Sequence, residues 1–159
     1  MTIVDNKARF GGGILNGSGL INTVVARNAG GNCRGTVLSA GNNLDSDGTC
    51  QFAAPTDLSG VAPRIGPLAD NGGPTRTHGL AASSPAVDAG DAANCPGSDQ
   101  RGMPRPVDGD ADGTADCDMG SFEYQGGPQT LGRRADPDRR FAGRPAQLLF
   151  ERPATSLSR

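Results

Sequence analysis

Two short β-branched triplets, Thr2-Ile3-Val4 and Thr23-Val24-Val25, stand 21 residues apart, and each is followed by an asparagine, Asn6 and Asn28. A period in the low twenties suits one coil of a β-solenoid, in which each short strand stacks on the strand before it. Between the triplets, Gly11-Gly12-Gly13-Ile14-Leu15-Asn16-Gly17 reads as a turn, a short strand and another turn. The segment Leu20 to Ala26 is apolar on both faces, as a strand buried in a parallel stack would be. A first coil with nothing before it presents an open strand edge.

Such a stack has a thin interior, and the composition agrees. Ile, Leu, Val and Phe total 27 of 159 residues, with no tryptophan and one tyrosine, which is low for a thick apolar core. Against these stand 25 glycines and 12 prolines, so turns are dense. From Asn32 to Asp70 the expected strands become shorter. Gly66-Pro67, Gly72-Gly73-Pro74 and Ser84-Pro85 then mark irregular capping structure. No stretch shows a convincing amphipathic helical period.

Four cysteines fall as two close pairs, Cys33 with Cys50 and Cys95 with Cys117, among Gly, Asn and Asp residues. They allow more than one connectivity. The sequential pairing is favoured because each pair brackets one polar, turn-rich loop, and closing such a loop stabilises a fold by roughly 3 kcal/mol. A zinc site is disfavoured, since no Cys-x-x-Cys occurs and His78 is the single histidine. Disulfides imply an oxidising compartment, extracellular or at a cell surface. Met1 to Gly13 contains no basic region followed by a long apolar stretch, so the chain reads as a fragment of a longer secreted protein. No run reaches the ~18 apolar residues of a membrane span.

The segment Asp108 to Asp118 alternates carboxylates ahead of a glycine, which is how a short loop wraps oxygen ligands around calcium. With Asp108 as the first loop position, Asp110 is third, Asp112 fifth, Gly113 sixth, the Thr114 carbonyl seventh and Asp116 ninth. The twelfth position, which holds a bidentate acid in the full loop, is Met119, and Asp118 or Glu123 would have to substitute. The expected Ca2+ affinity is therefore weak, in the ~millimolar range of extracellular modules. Asn43, Asp45 and Asp47 ahead of Gly48 form a fainter echo and a second metal candidate.

After Tyr124 the composition changes. Residues 125–159 contain seven arginines and four prolines against Asp136, Asp138 and Glu151. They read as a disordered, solvated basic tail with no specific nucleic-acid partner.

Several motifs occur in a recognisable order: Asn22 to Asn28, Gly31-Asn32-Cys33, Asn43 to Cys50, Gly66 to Thr75, Ser84-Pro85-Ala86-Val87-Asp88-Ala89-Gly90, Asp99-Gln100-Arg101-Gly102 and Cys117 to Tyr124. Over residues 2–124 this order resembles the C-terminal region of bacterial choice-of-anchor Q domain proteins. The resemblance implies a secreted or surface protein with right-handed parallel β-helix repeats, and no defined catalytic activity. The upstream coils of that family and any anchor after Tyr124 are missing from this sequence.

The expected architecture is all-β. Residues 1–124 form a short right-handed parallel β-helix of one to two coils with an irregular, disulfide-stapled cap, and residues 125–159 form the tail. The expected function is a non-catalytic structural or adhesive module, possible partners being a glycan, a surface protein or upstream β-helix coils. The alternative is a polysaccharide-active, lyase-like β-helix enzyme using Arg101 or Arg105 as base beside calcium-binding acids. His78 lacks a nearby serine or cysteine partner and reads as a hydrogen-bonded turn residue. Asp99 and Arg101 read as a pair or as backbone caps.

Overall fold

The computed structural model describes residues 1–127. The basic tail expected from residue 125 onward lies, apart from residues 125–127, outside the described residues. The protein is all-β, and its only described helix is a 3-10 turn at Ala92–Asn94. Strands β1 (Thr2–Val4), β3 (Val24–Ala26), β5 (Leu44–Asp45) and β6 (Leu58–Ser59) form a four-stranded parallel sheet. Strands β2 (Ile14–Leu20) and β4 (Cys33–Ser39) form a second parallel pair. Up to β5 the chain alternates between these two ladders, so each pass contributes one strand to each.

The pairing register corrects the repeat by one residue. Thr2 lies opposite Val24, Ile3 opposite Val25 and Val4 opposite Ala26. A slip of one residue would turn every side chain to the other face. The asparagines carry the true period: Asn28 Oδ1 accepts from the backbone N–H of Asn6 at 3.0 Å and from its side-chain amide at 2.9 Å, 22 residues apart. The corners stack as well. Asp5 and Arg27 hold equivalent left-handed conformations, φ 60° and 55°, and form an ion pair at 2.9 Å. Gly30, at φ +91°, passes so near the previous coil that a Cβ there would meet the Ala8 carbonyl at 2.2 Å.

Both faces of the four-stranded sheet are covered, which is why β3 is buried at every position. Val25 faces the space between the two ladders, with Val37, Phe52 and the Cys33–Cys50 disulfide. Val24, Ala26 and Leu44 face the other way, against Leu80, Val87, Met119, Phe122 and Tyr124 of the C-terminal half. That half caps the flank of the sheet and carries the second disulfide, Cys95–Cys117, with its Cα atoms 6.1 Å apart. The sequential cysteine pairing is therefore present.

Two expectations change. β4 runs for seven residues, longer than the turn density after Asn32 suggested. The supposedly irregular region contains an antiparallel pair, β7 (Ile65–Ala69) and β8 (Thr77–Leu80). Pro67 is tolerated there because a two-stranded ladder leaves each strand one free edge. Leu44 is fully buried in the flank core, and Leu44→Ala should cost about 2–5 kcal/mol, read as a lower urea midpoint with an unchanged slope.

Candidate functional site

The C-terminal segment Cys117 to Tyr124 crosses the cap and brings most of the buried charge together. Glu123 is 0% exposed. Its Oε2 accepts from Arg105 Nε at 2.7 Å and from the Asp118 amide at 3.0 Å, and its Oε1 accepts from the Val107 amide at 2.9 Å. Arg105 also donates to the carbonyls of Asp118 and Gly120. A second ion pair lies alongside: Arg101 meets Asp99 at 2.8 Å, donates to the Glu123 carbonyl and lies over the Phe122 ring, 3.6 Å from its centroid. The expected Asp99–Arg101 pairing is thus observed. Both guanidinium groups are buried and engaged on several sides.

This network docks onto the first coil. Gly120 N–H donates to the Asn22 carbonyl at 2.9 Å, and Ser121 N–H donates to Thr2 Oγ1 at 2.9 Å. At φ +104°, Gly120 sits where a Cβ would be 2.8 Å from Thr2 Oγ1, so a larger residue would lift the cap off β1.

Asp118 lies inside the cap, with both oxygens turned to backbone amides. It is fully buried, with Oδ1 accepting from the Asp88 amide at 2.8 Å and Oδ2 from the Tyr124 amide. Burial pushes its pKa up to about 7; the two amide bonds pull against this, and the neighbouring Glu123 and Asp88 carboxylates add to it. Asp99 goes the other way. Burial opposes its ionisation, but amide bonds from Glu123, Met103 and Arg101 and the Arg101 guanidinium outweigh that and hold its pKa below the usual carboxylate value.

The acidic loop folds on itself through short side-chain-to-backbone bonds. Asp110 accepts from the Asp112 amide, Asp112 from the Thr114 amide, and Asp108 from the Gly113 amide at 3.0 Å. Three carboxylates come within reach of one point, and one of them is outside the loop. Asp88, Asp108 and Asp110 each offer an oxygen within 4.8 Å of the others. Asp88 Oδ2 accepts from the amides of Gly109 and Asp110, at 2.9 and 2.8 Å, which ties the loop to the turn that carries Asp88. Oδ1 of Asp88 and Oδ1 of Asp108 are buried without a hydrogen-bond partner among the described residues. Burial raises the Asp88 pKa, with repulsion from Asp110 and Asp108 contributing. Asp112, Thr114, Asp116 and Asp118 stand outside this trio. Sequence reasoning missed Asp88 because its partners lie 20 or more positions away, beyond any loop-spacing template.

The second candidate is a brace. Asn43 donates to Leu20 O, Ser39 Oγ and Gly41 O and accepts from the Thr23 amide. Asp45 accepts from the Asn32 side chain at 2.7 Å and from the Cys50 amide at 2.9 Å. Asp47 accepts from Thr49 and from the Asn32 amide. These oxygens are committed to protein donors and hold the first disulfide loop. His78 sits in β8 rather than on a turn, with Nδ1 2.9 Å from the Gly66 carbonyl.

Comparison of the chain with protein-family models, curated proteins and solved structures finds no match.

Two outcomes follow from the buried charges. Arg105→Ala takes the counter-charge away from buried Glu123 and should cost about 3–5 kcal/mol, whereas Arg105→Met with Glu123→Gln should cost clearly less; chemical denaturation distinguishes them. The folded Asp118 pKa lies above that of an unfolded carboxylate, so the folded state keeps a proton that the unfolded chain releases. Its contribution to stability is complete below about pH 4 and is lost as pH rises towards 7, at up to ~1.4 kcal/mol per pH unit. Denaturation from pH 4 to 8 without added calcium should show this decline, and Asp118→Asn should flatten it.

Proposed function

We propose that this chain is a non-catalytic structural or adhesive module of a secreted or cell-surface protein. In this reading it forms the final coils of a right-handed parallel β-helix, closed by the disulfide-stapled cap, as its resemblance to choice-of-anchor Q domain proteins implies. The observation that carries the reading is the contrast between the first and second passes of the stack. The interior residues of the second pass, Val25, Cys33 and Val37, are buried, whereas those of the first, Ile3, Ile14 and Leu20, are only partly covered. β1 and β2 are also the outermost strands of their ladders at that same end. A further coil stacked there would cover the three apolar side chains and pair both edges. The two disulfides fit an oxidising environment.

The lyase-like alternative needs an arginine free to take a proton. Arg101 and Arg105 are both buried and committed to carboxylates and carbonyls, which favours the structural reading. An assay for unsaturated products from uronate polymers should stay at background.

A second copy of residues 1–22 placed ahead of Met1 matches the 22-residue stacking period. It should raise the thermal midpoint and slow amide exchange at Thr2 and Val4. An unchanged midpoint with fast exchange at both amides would count against the module as an end piece.

Calcium stabilisation belongs to the same reading, with the ligands moved to Asp88, Asp108 and Asp110. Two buried oxygens without a partner among the described residues support it, since a divalent ion would satisfy them and relieve the repulsion among three carboxylates. At ~10-fold excess over Kd, binding to the folded state alone adds about 1.4 kcal/mol. The melting temperature should rise with ~10 mM calcium, above typical affinities of extracellular modules. Asp88→Asn with Asp108→Asn should abolish that rise, and Asp116→Asn should not.

A further inference from the structure

A cleft of about 310 Å³ runs along the free edge of β1, between that strand and Leu68, Arg76, His78 and Gln100 of the cap. One wall is backbone that the described residues leave unpaired. The β1–β3 ladder uses alternate residues, with Val24 N–H bonded to the Met1 carbonyl and Asp5 N–H to the Ala26 carbonyl. The Thr2–Val24 register puts Ile3 on the same side. The N–H and C=O groups of Thr2 and Val4 therefore point away from β3, towards the cleft these residues line. Unpaired groups on a strand edge are a template for another strand.

The opposite wall carries charge. Arg76 is exposed and has no hydrogen bond or ion pair to the described residues, while nearby Arg27 is held by Asp5 at 2.9 Å and by the Ile65 carbonyl. None of the residues lining the cleft is acidic. A strand added to β1 in the parallel sense of the whole sheet would turn the residues opposite Thr2 and Val4 towards the cap, as Thr2 and Val4 themselves turn.

We propose that the cleft accepts a parallel strand bearing an Asp or Glu at one of those two cap-facing positions, with Arg76 as its partner. The inference rests on the open-end reading above and specifies the chemistry of the coil that docks there. Arg76 thereby selects which coil stacks on this end: an acidic cap-facing residue is attracted, and a basic one at the same position is repelled.

The test uses the full chain extended by the second copy of residues 1–22, with Thr2→Glu or Val4→Glu in the added copy, and the matching lysine substitutions. Slowed exchange of the resident Thr2 and Val4 amides reports strand docking, and the unfolding equilibrium reports the charge. At one of the two positions the glutamate form should be about fivefold more stable in equilibrium constant than the lysine form, the upper range for a solvent-accessible ion pair. Arg76→Gln in the body should remove that difference. Protected amides with no difference between glutamate and lysine at either position would overturn the charge inference and leave the stacking reading standing. Unprotected amides in every extended chain would overturn both. Binding of free glucuronate to the unextended chain, lost in Arg76→Gln, with no charge difference among the extended chains, would make the cleft a sugar-acid site and also overturn the proposal.

Discussion

The two buried ion pairs of the cap, Arg101–Asp99 and Arg105–Glu123, fix the segment that docks on the sheet. Glu123 and Arg105 are almost wholly removed from water, so their attraction is useful only if every remaining donor and acceptor is also satisfied. The chain meets that condition with backbone groups: the Val107 and Asp118 amides on Glu123, and the Asp118 and Gly120 carbonyls on Arg105. Each of these bonds fixes a piece of irregular backbone that has no ladder of its own. The result is a segment without regular secondary structure whose position is nonetheless determined, and which can present Met119, Phe122 and Tyr124 to the sheet.

With that segment in place, the four-stranded sheet is sandwiched between two thin cores. Neither core would suffice alone, since apolar residues are few and each buried side chain stabilises by only about 1.5–3 kcal/mol. The disulfides divide between them: Cys33–Cys50 lies in the core between the ladders, and Cys95–Cys117 secures the cap. Coverage is uneven along the stack. It is thorough at Val25 and Leu44 and thin at Ile3 and Ile14, and the proposed stacking rests on that difference.

Carboxylates serve here mainly as backbone caps. Asp45, Asp47, Asp99, Asp110, Asp112 and Asp118 each accept at least one amide bond. A chain rich in turns leaves many N–H groups without ladder partners, and short acidic side chains satisfy them locally. An alternating acidic motif therefore carries two meanings, and spacing cannot separate them. In the Asp108–Asp118 segment most of the acids cap turns, and Asp108 and Asp110 also approach Asp88.

The sequence by itself determined the all-β class and the stacking of β1 on β3, and it favoured the disulfide pairing that the structure has. These depend on local patterns: β-branched triplets, turn residues, and cysteines bracketing single loops. It also contained the true register in Asn6 and Asn28, although the triplets suggested a value one residue shorter, because strand composition tolerates a slip that a side-chain amide bond does not. The β7–β8 hairpin was hidden by Gly66 and Pro67, which read as breakers in a sequence and are harmless on a two-stranded edge. Only the tertiary structure decided the roles of Asp88, Asp118 and Glu123. A carboxylate's part in the fold depends on which distant donors reach its two oxygens. For these three residues most of those donors belong to other turns of the chain.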